Sequence, residues 1–273
     1  MDEASQAVEP EILVALVHGA ERVIIVGDQK QLEPVVLNGR CRMNNYARTL
    51  MDRLVELGFV PHMLDTQYRM HPILAEFPNN TYYDGLLKNG VTEVNRPIQP
   101  GLPYVVPDRP LLFYHVEGRE GVGSMGTSFI NMQEAVSVVE LIKILRKQGV
   151  REEKIGVITS YAGQKLLLQN LTIQAKLEVE VATVNTFQGR EKDYIIYSCV
   201  RSNPSNVIGF LNNPRRLNVA LTRARFGMFV VGNAKMLTGQ GDCGKYVDYH
   251  LEHETIARGT LGRLIVIDQT FFM

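Results

Sequence analysis

Six short apolar runs rich in β-branched residues punctuate this chain, and segments of helical period lie between them. They are Arg22 to Val26 (RVIIV), Leu111 to Val116, Ile155 to Thr159 (IGVIT), Val179 to Val184, Tyr194 to Val200 and Met228 to Val231. Each is too short for a buried helix and lacks the in-out alternation of a half-solvated strand, so each reads as a strand covered on both faces. Parallel neighbours need a crossover, which the intervening helices supply, so the pattern predicts an α/β protein with a mostly parallel sheet. The clearest helix spans about Asn131 to Lys147, where Ala135, Val138, Val139, Ile142 and Leu145 fall on one face before Gly149 closes it.

Composition removes several other classes. An apolar fraction of 45% and a charged fraction of 21% over 273 residues are globular values and exclude a disordered or collagenous chain. Lys plus Arg equals Asp plus Glu at 29 each, so any polyanion site must be local. Cys41, Cys199 and Cys243 stand far apart without CxxC spacing, which supports neither a zinc ribbon nor a disulfide framework. Met1 opens an acidic stretch, MDEASQAVEP, and no apolar run reaches membrane-spanning length. The expectation is a soluble protein of a reducing compartment, cytoplasmic with the nucleus left open, and without a membrane. His250 and His253 read as the solvated face of a helix rather than metal ligands. Five prolines between about Lys88 and Pro110 predict an irregular surface excursion. Near Asp65 a strand-like HMLD passes into a polar turn and a new helix, which places a domain boundary there.

Four segments carry chemistry. Asp2 and Glu3 precede a helix and then the run RVIIV, which delivers Gly27, Asp28 and Gln31 into the loop GDQKQLEP. Hard cations take oxygen ligands and phosphoryl transfer depends on positioning, so one carboxylate suits Mg²⁺ and the next the attacking water. TQYRMHP (Thr66 to Pro72), TVNTFQGREKD (Thr183 to Asp193) and LNVALTRAR (Leu217 to Arg225) follow. Guanidinium groups stay charged and match phosphate oxygens as a fork, which fits Arg69 and Arg223 to a transferring phosphoryl group. Between Arg190 and Arg225 seven basic residues face two acidic ones, a local surplus of five in a neutral protein.

In this order, DEASQAVEPE, GDQKQLEP, QYRMHP, TFQGREKD and LNVALTRAR resemble motifs II to VI of the superfamily 1 helicases, and the chain is similar to their up-frameshift-like branch up to about Val231. The resemblance implies a RecA-like parallel-sheet core: the C-terminal half of a first domain over residues 1–65, a complete second domain over 66–258 and a C-terminal tail over 259–273. It implies an ATP-dependent RNA helicase that couples nucleotide hydrolysis to single-strand translocation in nonsense-mediated mRNA decay, with ATP and Mg²⁺ as cofactors and single-stranded RNA, DNA also being open, as partner. Decay factors are further implied partners. Asp2 would hold Mg²⁺ through water, Glu3 would polarise the attacking water, and Gln31 and Arg69 would contact the γ-phosphate. Arg223 would be the arginine finger. Asp28, Tyr68, Gly189 and Glu191 complete the implied nucleotide contacts. Thr159, Ser160, Tyr161 and Gln164, with Thr183, Asn185 and Thr186, would hold the RNA backbone.

Two residues depart from the pattern, Asn185 where relatives carry Asp and Glu33 where they carry a small residue or proline. No G-x-x-x-x-G-K-[ST] occurs, and Gly244-Lys245 has neither the upstream glycine spacing nor a following Ser or Thr. The expectation is therefore that the missing N-terminal half of the core carries the phosphate loop and that the chain alone is inactive, the alternative being a truncated, non-catalytic RNA- or partner-binding remnant. Gly121 to Gly126 formally matches GxGxxG, but no helix start is expected to face it.

Overall fold

The computed structural model describes residues 1–123 and 126–272. They divide into two compact units, Met1–Asp65 and Thr66–Met273.

The first unit contains α1 (Glu9–Leu16), α2 (Gly39–Met43) and α3 (Leu50–Glu56); α1 and α3 contribute Ile12 and Leu50 to a small core with Ala4, against which Ile25 and Leu54 pack. Thr49 caps α3 by accepting from the Asp52 amide at 3.0 Å. The expected strand Arg22 to Val26 is not a ladder strand. It is extended, and its recorded backbone bonds run to the first residues of the chain: the Met1 ammonium donates to the Ile24 carbonyl, the Val26 amide to the Met1 carbonyl and the Ala4 amide to the Val26 carbonyl, each at 2.9 Å. Pairing confined to so few residues does not make a sheet, so the β-branched run alone did not decide the outcome.

The second unit opens with a short parallel pair, β1 (Thr66–Gln67) and β2 (Lys88–Asn89), flanking α4 (Pro72–Tyr82). The main sheet comprises β3 (Leu111–His115), β6 (Ile155–Thr159), β7 (Glu180–Thr183), β8 (Lys192–Ser198), β9 (Ala224–Gly232), β10 (Ile256–Thr260) and β11 (Arg263–Val266), in the order β11-β10-β3-β9-β8-β6-β7. Every pairing in it is parallel except β10 with β11, so the expected α/β fold with a mostly parallel sheet is borne out. A separate antiparallel ribbon joins β4 (Glu120–Val122) to β5 (Phe129–Asn131). Ser124 and Met125 of the GxGxxG match lie outside the described residues.

The helices are α5 (Met132–Lys147), α6 (Ala162–Gln174), α7 (Val184–Phe187), α8 (Pro214–Leu221), α9 (Ala234–Leu237) and α10 (Gly241–Glu252). The predicted apolar face of α5 is buried against α6, β8 and β9 through Ala135, Val138, Ile142 and Leu145, and Gly149 ends the helix at φ +88° with its amide on the Arg146 carbonyl. Residues 259–273, expected as a tail, instead carry the end of β10 and all of β11. Four paired residues, Ala257 opposite Val266 through Thr260 opposite Arg263, tie this segment to the sheet edge. Among the described residues no helix is long and apolar enough to cross a membrane. His250 is fully buried beside Thr255 rather than on a solvated face, its Nδ1 lying 2.7 Å from the Thr255 hydroxyl.

Candidate functional site

In the first unit, pairing of residues 1–4 with 24–26 brings the Asp2-Glu3 pair next to the GDQKQ loop. Gly27 passes close under the chain, since a Cβ there would lie 2.9 Å from the Ser5 amide nitrogen. Asp28 is fixed by its own loop: Oδ1 accepts from the Lys30 amide and Oδ2 from the Gln31 side-chain amide, both at 2.9 Å. Asp2 Oδ1 accepts from the Glu3 amide at 2.9 Å, and Glu3 Oε2 accepts from Gln6 Nε2 at 3.1 Å. Glu3 is itself held at φ +50°, an uncommon conformation for a non-glycine residue. Among the described residues no group of three His, Cys, Asp or Glu side chains forms a metal cage. One exposed carboxylate with a second beside it suits Mg²⁺, which keeps most of its water and takes few protein ligands.

In the second unit the register gathers the arginines. Lys192 on β8 pairs with Ala224 on β9, so Glu191 and Arg223, each one residue earlier, stand side by side at the N-terminal ends of these strands. Arg69 reaches both segments, donating from Nε to Glu191 Oε2 at 2.5 Å and from Nη1 to the Thr222 carbonyl at 2.9 Å. The Gln67 side chain shapes the turn: its Oε1 accepts from the Arg69 and Met70 amides, at 2.9 and 2.8 Å, and its Nε2 donates to the Met70 carbonyl. Arg96 clamps the other side, donating to the carbonyls of Arg69 and Tyr68 at 2.9 Å each. The exposed Tyr68 ring lies over Gly90, where a Cβ would collide with it. Gly189 turns at φ +76° before Glu191, a conformation that favours glycine.

Glu191 is held below the usual carboxylate range. Partial burial, the largest influence, pushes the other way and is outweighed by the hydrogen bond and charge of Arg69 with the charges of Arg225 and Arg223. Arg223, expected as the arginine finger, is buried, with Nε donating to the Val219 carbonyl at 3.0 Å and Nη2 to the Thr222 hydroxyl at 2.9 Å. Its guanidinium is thus anchored to the last turn of α8.

The expected RNA contacts lie at the opposite ends of the same strands. Thr159 pairs with both Ser198 and Thr183, so the chain following β6, β7 and β8 leaves one common sheet end. Seven residue steps run from Glu191 to Ser198 at the end of β8, which separates the two by about 23 Å at ~3.3 Å per residue. Thr183 caps α7, accepting from the Thr186 amide at 3.4 Å, and Asn185 and Thr186 are exposed. Ser160 is partly exposed, with its hydroxyl 2.9 Å from that of Tyr197. Three of the residues expected to contact RNA, Thr159, Tyr161 and Gln164, are buried. Gln164 is occupied on both sides, accepting from the Asn131 amide at 2.8 Å and donating to the Asn131 carbonyl and the Ser198 hydroxyl. Tyr161 points its hydroxyl at the backbone of Ile208 and Phe210.

Sequence reasoning missed Gln67 and Arg96, although Gln67 stands inside the TQYRMHP segment. It also missed a buried group around Glu134. This carboxyl accepts from the Ser198 hydroxyl at 2.7 Å and from the Val200 amide at 2.8 Å, and burial pushes its pKa up to about 8. Val200 itself sits at φ +75°, inside a turn closed by the Arg201 amide donating to the Cys199 carbonyl at 2.9 Å. A β-branched residue in that region is strained and persists only where its surroundings hold it.

Residues 46–235 match a protein family described as AAA domain, and residues 1–39 match a second AAA domain family. The chain belongs to the AAA-domain family. It is 47% identical over 272 residues to a regulator of nonsense transcripts 1 homolog of Arabidopsis thaliana, covering 97% of this chain and 22% of that relative. Two relatives named as ATP-dependent helicases, upf1 of Schizosaccharomyces pombe and NAM7 of Saccharomyces cerevisiae, are 45% and 44% identical over 97% of this chain, which spans 29% and 28% of them. The up-frameshift-like resemblance seen in the motifs is thereby borne out. The chain spans about a quarter of the length of these curated relatives.

Proposed function

We propose that this chain is the nucleotide- and strand-responsive part of an ATP-dependent RNA helicase acting in nonsense-mediated mRNA decay. The observation that carries the reading is the cluster of Arg69, Glu191 and Arg223 at one end of β8 and β9, with polar, partly exposed segments after β6 and β7 at the other. Asp2 would hold Mg²⁺ through water, and the ion would neutralise charge on the phosphates. Glu3 orients and polarises the attacking water, while Gln31, fixed by Asp28, senses the γ-phosphate. Arg69 and Arg223 stabilise negative charge as it develops on the transferring group. Tyr68 offers its exposed ring, and Gly189 and Glu191 their turn, to the nucleoside.

At the far end, Ser160, Thr183, Asn185 and Thr186 contact sugar and phosphate, which makes binding of the single strand indifferent to sequence. Asn185 keeps a hydrogen-bonding group without a charge to repel phosphate. The relatives' names support a role on mRNA, exercised on this reading in the cytoplasm.

The test is RNA-stimulated ATP hydrolysis by a helicase core that carries these residues together with a phosphate loop. Glu3→Gln should lower turnover by two orders of magnitude or more, the range of general-base contributions being about 10²- to 10⁴-fold, while leaving strand binding in place. Unchanged turnover in that variant would remove Glu3 from the reaction.

A further inference from the structure

Phe210 stands on the short turn Gly209–Asn212 between β8 and α8, with 54% of its surface exposed. The guanidinium of Arg216 lies 4.6 Å from its ring centroid, and the buried ring of Tyr161 lies 5.5 Å away, tilted by 33°. This placement is fixed rather than adaptable. The Tyr161 hydroxyl accepts from the Phe210 amide at 3.2 Å and donates to the Ile208 carbonyl at 3.3 Å. Arg201 Nη1 donates to the same hydroxyl at 3.3 Å, and Gly209 turns at φ +56° where a Cβ would collide with that guanidinium. An aromatic ring locked in an exposed position loses little freedom when something flat settles on it.

Charge says what would settle there. No Asp or Glu occurs between Tyr194 and Gly241. The nearby carboxylate of Glu120 is committed to Arg201 at 2.9 and 3.1 Å, to the Ser202 amide at 2.8 Å and to Asn203 Nδ2 at 3.0 Å. Asp242, on the helix α10 that packs against this turn through Cys243, is paired with Lys245 Nζ at 2.9 Å, so the loop itself is cationic, which favours a polyanion. It also leaves the sheet where β8 ends, the same end that carries Ser160, Thr183 and Asn185.

We propose that Phe210 and Arg216 form a base-stacking site for the single strand, a nucleobase lying against the aromatic-guanidinium pair. Every base has a flat face, so such a contact adds affinity without reading sequence, and a guanidinium extends the stacking surface as an ammonium does not. This rests on the strand-binding reading above and adds base stacking to its backbone contacts.

The experiment measures binding of the full chain at low salt to a fluorescein-labelled 15-nucleotide oligouridine and to an abasic oligomer of equal length and charge. The unmodified chain should prefer the oligouridine by about fivefold or more, the lower end of what one stacked base contributes. Phe210→Ala and Phe210→Leu, the latter similar in bulk without a π-face, should abolish the preference and leave abasic affinity unchanged, while Phe210→Trp should keep it. Arg216→Lys should weaken the preference without altering the salt dependence. Thermal midpoints establish that each variant is folded, and a misfolded Phe210→Ala leaves Phe210→Leu and Arg216→Lys to decide. Equal loss for both oligomers would mean a purely structural role, and no loss for either would mean that the pair faces a protein or nothing. Each of those results overturns the proposal. Failure of the unmodified chain to bind either oligomer would overturn the strand-binding reading itself, and the stacking site with it.

Discussion

Glu134 shows how far a single residue can depart from its local sequence. At the third position of α5, three residues after the Asn131 cap, it reads as an ordinary first-turn carboxylate complementing the helix dipole. What buries it comes from 64 and 66 residues away, in Ser198 and Val200, and no local pattern announces that. Because its folded pKa is raised to about 8 above an ordinary value of 4.5, the unfolded chain gives up this proton at lower pH than the folded one does. The stability associated with it is present below pH 4.5 and is lost progressively as pH rises toward 8. Glu134→Gln should therefore flatten the fall in thermal midpoint between those values, and a slope unchanged from the parent protein would contradict the protonated assignment. Glu134→Ala should cost about 2 to 5 kcal/mol in denaturant unfolding, since it strands the Val200 amide and the Ser198 hydroxyl. Glu191 moves in the opposite sense: its lowered pKa gives a contribution present above the usual carboxylate range and lost as the pH falls below it.

At the scale of elements, what was legible followed from length and repetition. Sixteen residues of clean helical period gave α5, and five of the six apolar runs became strands of the main sheet because each lies between parallel neighbours or helices. The run Arg22 to Val26 has the same composition but pairs only with residues at the chain start, so composition without partners gave an extended segment. β10 and β11 escaped notice because IARGT and RLIV are short, carry arginines and pair with each other at the sheet edge, where a solvated side leaves no continuous apolar run. Of the candidate site, the arginines and Glu191 could be named because their chemistry is local to their motifs. The burial of Thr159, Tyr161 and Gln164 could not, since it depends on Asn131, Ser198 and the 208–210 turn folding over them. A direct check on the sheet-covering role of α5 is Leu141→Ala. The side chain is wholly buried, and its loss should cost about 2 to 5 kcal/mol in chemical denaturation; a change under 1 kcal/mol would mean that the helix is not part of the core.

For the whole molecule, the neutral total conceals an uneven distribution of charge and of packing. The second unit contains the seven-stranded sheet and a continuous core from Leu102 to Leu261, whereas the first rests on Ala4, Ile12, Leu50 and a few neighbours. Residues 57–64, at the end of the first unit, are exposed and outside regular structure beyond the turn at the end of α3. Brief digestion with chymotrypsin or thermolysin should therefore cut between Phe59 and Leu64 and leave a resistant fragment beginning near Thr66, and uniform protection from Met1 onward would contradict two separately stable units.

The proposal that Arg69 and Arg223 stabilise a transferring phosphoryl group stands or falls on steady-state ATP hydrolysis in the same complete core with Arg223→Ala. A folded variant should lose about 10³- to 10⁵-fold in kcat with little change in KM, because such a contact strengthens as charge develops in the transition state, and Arg223→Lys should restore little of it. An intact kcat with only a raised KM would contradict the account.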